Sequence, residues 1–97
     1  MARFGVYRVD GRLVVDVQTD YLPDVSTRLV IPLETLDRAP RVTRQLNPIL
    51  LVDGQRLMLI TQQMSPVPKR SLGHEVASLR NQGDDVTAAI DVLLTGF

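Results

Sequence analysis

The first part of the chain alternates hydrophobic and polar residues on both sides of an Asp-Gly pair. Asp10-Gly11 separates residues 4–9 from residues 13–19. A two-residue turn of type I′ needs positive φ at both central positions, and Asp-Gly accommodates this at little cost. The pattern predicts a β-hairpin. In its second strand, one set of alternate residues is hydrophobic, so that face should belong to the core and the other should be largely solvated: Leu13, Val15 and Val17.

A second Asp-Gly pair, Asp53-Gly54, lies between two runs that are hydrophobic at almost every position, residues 49–52 and 57–60. Continuous hydrophobic runs are typical of strands that are covered on both faces. The sequence therefore predicts a second hairpin at the centre of the domain.

Three further segments are extended or irregular. Residues 28–33 read as a strand, and Pro32 favours a strand end or a sheet edge because it cannot donate a ladder hydrogen bond. Residues 19–27 read as an exposed loop that carries hydrophobic side chains. The two prolines of residues 64–68 favour an extended edge or a crossover between sheets. Residues 69–83 give no clear pattern.

The C-terminal part of the chain has the hydrophobic period of a helix. The spacing i, i+3, i+4, i+7, i+8 defines one apolar face, formed by Val86, Ala89, Ile90, Leu93 and Leu94. Asp84 is placed to be the N-cap, and Asp85 suits the positive end of the helix dipole. No Lys, Arg or His occurs from Asn81 onward. This acidic helix end favours a cationic partner; the alternative is a well-solvated Asp91 at a frayed end.

Composition narrows the class of protein. The 97 residues suit one domain, residues 1–97. With 11 Lys and Arg against 11 Asp and Glu, direct nucleic-acid binding by the chain alone is not expected. Arg38, Arg41 and Arg44 recur every third residue, which fits a solvated face better than a basic patch.

The chain has no cysteine and only one histidine, His74, so neither a metal nor another cofactor is expected. It shows no signal sequence or membrane span, so the cytoplasm is the expected location.

Several runs of residues resemble the CcdB family in order and spacing. They are Val-Asp-Val-Gln-Thr-Asp at 15–20, Val-Ile-Pro-Leu at 30–33, Pro-Val-Pro at 66–68 and the stretch at 73–79. The resemblance covers residues 4–97. It implies a mainly β (α+β) fold, an SH3-like barrel with a small additional sheet and one C-terminal helix, assembled as a homodimer.

The resemblance also implies a function. CcdB-like proteins are the toxins of type II toxin–antitoxin systems. They bind the A subunit of DNA gyrase, trap the enzyme with its DNA cleaved, and are neutralised by a CcdA-like antitoxin, which is expected here to bind as a mostly disordered acidic segment. They are not enzymes, so the resemblance implies no catalytic residue and no cofactor.

Eight residues occupy positions that contact gyrase in the family. They are Ala88, Asp91, Thr95, Gly96 and Phe97 at the helix end and Thr19, Tyr21 and Leu22 in the exposed loop. The helix end departs from the family pattern, since Thr95 replaces a tryptophan that stacks on arginine, and Ala88 and Asp91 replace asparagines. Phe97 replaces the terminal isoleucine. Ordinary loop packing is the alternative explanation for Tyr21 and Leu22.

Two other functions stay open. A diverged family member would bind the antitoxin but poison gyrase weakly or not at all, as the missing tryptophan suggests. The barrel is also shared with mRNA endoribonucleases of the PemK and MazF type. Such an enzyme needs a general base and a cation beside the phosphate, and the single histidine His74 makes this assignment weaker.

Overall fold

A computed structural model describes residues 2–96. The described chain contains seven strands and one α-helix. The strands are β1 (Gly5–Val9), β2 (Arg12–Asp16), β3 (Thr27–Glu34), β4 (Ile49–Val52), β5 (Gln55–Leu59), β6 (Ser65–Pro68) and β7 (Ala77–Ser78), and the helix is α1 (Gly83–Thr95). Short 3₁₀ turns at residues 61–63, 69–71 and 80–82 link the last elements.

Both predicted hairpins form. β1 pairs with β2 through Val9 and Arg12, and β4 pairs with β5 through Val52 and Gln55. The Asp-Gly turns have the predicted backbone, with φ of 51° and 79° at residues 10 and 11 and of 49° and 82° at residues 53 and 54. Local turn chemistry is therefore enough to set the register of both hairpins.

The strands form one antiparallel sheet in the order β4-β5-β3-β2-β1-β7, and β6 pairs separately with β3. β3 pairs with three other strands. One edge of β3 pairs with β2, and the other edge pairs first with β6 and then with β5. The result is a nearly closed, barrel-like sheet with one C-terminal helix, which confirms the predicted fold class. The predicted edge at residues 64–68 is β6.

Pro32 lies inside β3 and is buried, so its prediction as a strand end is wrong. Its carbonyl accepts a hydrogen bond from the Ile60 N–H at 3.0 Å. Because the nitrogen and carbonyl of one strand residue point to the same edge, the proline nitrogen also faces that edge. Along it, pairing with β6 ends at Val30 and pairing with β5 begins at Leu33. The missing N–H therefore falls in a gap between two partners.

A side-chain amide joins the two ends of the sheet. Gln82 follows β7, and its Oε1 accepts a hydrogen bond from the Leu51 N–H at 2.9 Å while its Nε2 donates to the Leu51 carbonyl at 2.8 Å. The amide thus forms, at Leu51, the two backbone hydrogen bonds that a strand beside β4 would supply there.

The main core lies inside the barrel under the helix. Its fully buried members come from nearly every element, among them Val6, Val15, Ile31, Leu50, Leu59, Leu79, Val86 and Ala89. A second cluster covers the outer face of the first hairpin and consists of Tyr7, Val14, Val30 and Leu72. The prediction that this face is largely solvated is therefore wrong, because residues 65–72 fold over it.

The second hairpin is central only in part. In β5, Leu57, Met58 and Leu59 are all buried, as predicted. β4 lies at the end of the sheet order, and its Leu51 is 55% exposed. The continuous apolar run of residues 49–52 therefore belongs to an outer strand, and one face of this strand is exposed to solvent.

The predicted helix forms as α1, with two corrections. Asp84 lies inside the first turn, and the N-cap is Gln82, which makes no capping hydrogen bond with its side chain. Val86 and Ala89 are buried and Ile90 is partly buried, but Leu93 and Leu94 at the end of the apolar face are exposed. The last helical turn therefore extends beyond the core of its own chain.

Candidate functional site

The end of α1 is an exposed surface. Ala88, Asp91 and Thr95 are all exposed, three and four residues apart on one side of the helix. The Thr95 hydroxyl donates a hydrogen bond to the Asp91 carbonyl at 2.7 Å. Gly96 ends the helix in the left-handed conformation, with φ of 88°, and its N–H bonds to the Val92 carbonyl at 3.0 Å. The predicted residue Phe97 lies outside the described residues.

The charges of α1 are negative at both ends. Asp84 and Asp85 lie in the first turn, where the helix dipole stabilises them, and the last turn has no basic residue. Asp91 therefore adds a charge near the negative end of the dipole without a compensating cation on the helix itself. A guanidinium or ammonium group brought by a partner would find a favourable field at this end.

A groove of about 280 Å³ runs beside this surface. One wall belongs to the helix and consists of Asp85, Ala88, Asp91 and Val92. The other belongs to the loop between β3 and β4 and consists of Arg44, Gln45 and Pro48. Sequence reasoning missed the loop side because residues 35–48 have no regular period and their contact with α1 is long range. Arg44 was the available signal, in a series interpreted as a solvated face.

A second cavity, of about 400 Å³, lies beside the first hairpin turn. Arg8, Arg12 and Arg38 line it, and Arg12 is 3.8 Å from the Glu34 carboxylate. Arg38 and Arg44 therefore border different cavities. The arginine series does not form one patch.

The loop of residues 19–27 presents hydrophobic side chains to solvent. Tyr21 is 92% exposed, and Leu22 is also exposed. Thr19 is half-buried, and its Oγ1 accepts a hydrogen bond from the Tyr21 N–H at 3.3 Å. Packing within the chain therefore does not account for the tyrosine ring.

A buried ion pair lies beneath the start of this loop. The side chains of Arg28 and Asp16 are 3% and 0% exposed, and Arg28 Nε donates to Asp16 Oδ2 at 2.7 Å. Arg28 Nη2 also donates to the Gln18 carbonyl at 3.1 Å and to Asp20 Oδ1 at 3.2 Å. One guanidinium therefore links both strands to the loop. This ion pair was not predicted, because Asp16 lies on the face of β2 that the alternation of residues predicts to be solvated.

The pKa values of this network reflect its contacts. The pKa of Asp20 lies below its usual value, chiefly because the Arg3 backbone N–H bonds to the carboxylate; partial burial opposes this, and Arg28 adds to it. Burial alone would lower the pKa of Arg28, but the hydrogen bonds and charges of Asp16 and Asp20 outweigh that effect and raise it. Both groups are held in their charged forms.

The two parts of the predicted site have different neighbours in the chain. The helix packs against the 3₁₀ turns at 61–63 and 80–82, whereas the loop bonds to Arg3, Arg28 and Lys69. They are two separately supported surfaces.

Residues 2–96 contain no group of three or more His, Cys, Asp or Glu side chains placed to hold a metal ion, and His74 is exposed. Within the same residues, no helix combines the length and the hydrophobicity needed to cross a membrane.

Comparison with known protein families identifies a match over almost the full length of the chain. A family model described as CcdB protein matches residues 3–96, nearly the whole chain and all of the strands and the helix described above.

Proposed function

Because the chain belongs to the CcdB family and is a toxin of the toxin–antitoxin kind, we propose that it poisons DNA gyrase by binding the A subunit and trapping the enzyme with its DNA cleaved. The observation that carries this proposal is the family match over residues 3–96. In this proposal the toxin acts in the cytoplasm, where gyrase works.

The helix end supports this function by its exposure and charge. Ala88, Asp91, Thr95 and Gly96 are open to a partner and form no part of the core. A carboxylate at an exposed helix end is a good acceptor for arginine, whose planar guanidinium pairs with it through two hydrogen bonds. Asp91 would take over part of the arginine binding that an aromatic ring performs in the family.

The loop supplies the apolar part of the same contact. Exposed aromatic side chains lose little conformational entropy on binding and bury a large area, so they are frequent anchors of protein interfaces. Tyr21 has this character, with Leu22 beside it. Together, the helix end and the loop offer the charged and apolar contacts that gyrase binding needs.

One observation favours a second candidate function, a toxin that binds its antitoxin but poisons gyrase weakly. The Thr95 hydroxyl bonds back to the Asp91 carbonyl of its own helix. Threonine has no ring to stack on arginine, and its hydroxyl already donates within the helix. Gyrase affinity would then rest on Asp91 and the loop.

We further infer that the toxin carries out no reaction itself, and that nucleic acid is reached only through gyrase. An endoribonuclease would instead hydrolyse single-stranded RNA after repurification and would lose that activity when Arg8, Arg12 or Arg38 of the basic cavity is replaced. That result would show that the protein is an endoribonuclease rather than a gyrase poison.

The gyrase proposal is tested with the purified chain, gyrase and supercoiled plasmid. We expect linear DNA to accumulate when the reaction is stopped with detergent and protease, because a trapped complex holds a double-strand break. The same reaction with a gyrase that carries a substituted toxin-contact arginine is the control. Plasmid that stays uncleaved, with no binding to the A subunit, contradicts poisoning; binding without cleavage identifies the weaker toxin.

Assembly is tested by light scattering. We propose a homodimer because Leu51, Leu93 and Leu94 expose apolar area in a small domain, and Leu94 is 71% exposed. We expect a dimer mass at micromolar concentration and a larger complex with a CcdA-like antitoxin, whose disordered acidic segment orders on binding. A monomer mass contradicts the first expectation, and an unchanged mass with antitoxin contradicts the second.

A further inference from the structure

The loop of residues 19–27 is held on both sides of its exposed apex. Tyr21 and Leu22 form this apex, and the residues before and after them bond to side chains from different parts of the chain, Arg28 and Lys69. An exposed hydrophobic pair without such support would sample many conformations, because the tyrosine ring is almost fully exposed among the residues that the structure describes. The geometry of the supports is therefore informative about function.

The first support is Asp20, immediately before the apex. Its carboxylate accepts hydrogen bonds from the Arg3 N–H at 3.1 and 3.2 Å and from Arg28 Nη2 at 3.2 Å. Arg28 is itself fixed by Asp16 at 2.7 Å in the buried interior. Asp20 therefore ties the residue before the apex to a buried group of the barrel.

The second support is Lys69, which directly follows β6. Its ammonium group donates to the Pro23 carbonyl at 2.7 Å, and its N–H donates to the Ser26 carbonyl at 2.9 Å. Pro23 follows the apex directly. Two cationic side chains thus hold the chain just before and just after Tyr21 and Leu22.

We propose that Asp20, Arg28 and Lys69 form a clamp that presents Tyr21 and Leu22 as a preformed contact for the A subunit of gyrase. This inference rests on the proposed function, and it assigns to these three residues a positioning role. A loop that is already in its bound conformation spares the ordering cost that binding otherwise incurs.

Arg28 has two carboxylate partners, Asp16 and Asp20, and the second is not needed to neutralise its charge. Asp16 already pairs with Arg28 in the interior at 2.7 Å. The Asp20 side chain is 53% exposed, so an exposed ion pair there contributes little to global stability. What the second carboxylate adds is the connection between the fixed guanidinium and the loop.

The test compares Asp20→Ala with Asp24→Ala, which removes the same charge from the exposed part of the same loop. Backbone ¹⁵N order parameters of residues 21, 22 and 24–26 report the clamp in the free protein. We expect them to fall in Asp20→Ala and in Lys69→Met and to stay unchanged in Asp24→Ala. Unchanged order parameters in Asp20→Ala and Lys69→Met overturn the clamp, whatever the protein binds.

Binding to the A subunit then tests the positioning role through a double-mutant cycle. Asp20→Ala should weaken binding on the order of 3- to 10-fold, the cost of reordering a side chain and its loop. In a Tyr21→Ala background it should have almost no further effect. Equal losses in both backgrounds mean that Asp20 contacts gyrase directly, which overturns the positioning role.

Failure of the proposed function gives a different result. If the unsubstituted chain does not bind the A subunit, gyrase poisoning is wrong, and the order parameters alone decide whether the clamp exists. If the chain binds but Tyr21→Ala leaves the affinity unchanged, the loop is not a gyrase contact and the inference is overturned while poisoning stands.

Discussion

Replacing Arg28 with methionine is expected to lower the free energy of unfolding by about 3–5 kcal/mol, because the substitution leaves the Asp16 carboxylate buried without its counterion. Asp16 is fully buried and accepts the Arg28 Nε hydrogen bond at 2.7 Å. Within residues 2–96, the other hydrogen bond to this carboxylate comes from the Gln18 N–H at 3.0 Å. Urea unfolding followed by circular dichroism measures the change.

Two variants make this expectation specific. Arg56→Met removes an exposed arginine from β5 and should change stability by less than about 0.5 kcal/mol. The double variant Asp16→Ala with Arg28→Met removes both buried charges and should recover part of the loss, because the two residues are coupled. A double variant whose loss equals the sum of the losses of Arg28→Met and of Asp16→Ala alone would show that the charges are not paired in solution.

The second large effect concerns the helix end and gyrase. Thr95→Trp should strengthen binding to the A subunit by about 2- to 30-fold, the range expected when a ring stacks on a guanidinium. Thr95 is exposed and its helix is anchored upstream by Val86 and Ala89, so a larger side chain there meets solvent. Deleting residues 95–97 should reduce binding below detection while the dimer mass stays the same.

Calorimetry with the A subunit measures both changes, and Thr95→Ala is the matched control. It removes the hydroxyl that bonds to the Asp91 carbonyl but adds no ring, so it separates the two effects. If Thr95→Trp binds like Thr95→Ala, and the shortened chain binds like the full one, the helix end does not contact gyrase and the family's contact positions do not apply here.

The elements that the sequence predicted well are those that local chemistry determines. Both Asp-Gly turns, the helix at its observed position and the exposure of residues 19–27 follow from rules that span a few residues. The errors concern long-range contacts. Whether a strand is outer or central depends on its neighbours, so the hydrophobic run of β4 was uninformative.

The candidate site shows the same division. The eight predicted residues came from family positions, and the structure describes seven of them as exposed or half-buried. The supports of the loop were not predicted, because Asp16 and Arg28 have ordinary positions in two separate strands. Only the antiparallel pairing of β2 with β3 brings their side chains together.

The amide of Gln82 has a consequence for self-association. An outer strand with free N–H and C=O groups is a template on which a strand from another molecule can add, leading to aggregates. In an antiparallel pair only alternate residues turn these groups outward, and in four-residue β4 Leu51 is one of them. Gln82 occupies both of its groups. Leu51 therefore keeps an exposed apolar side chain, available for a specific interface, at a position whose backbone groups are already bonded within the chain.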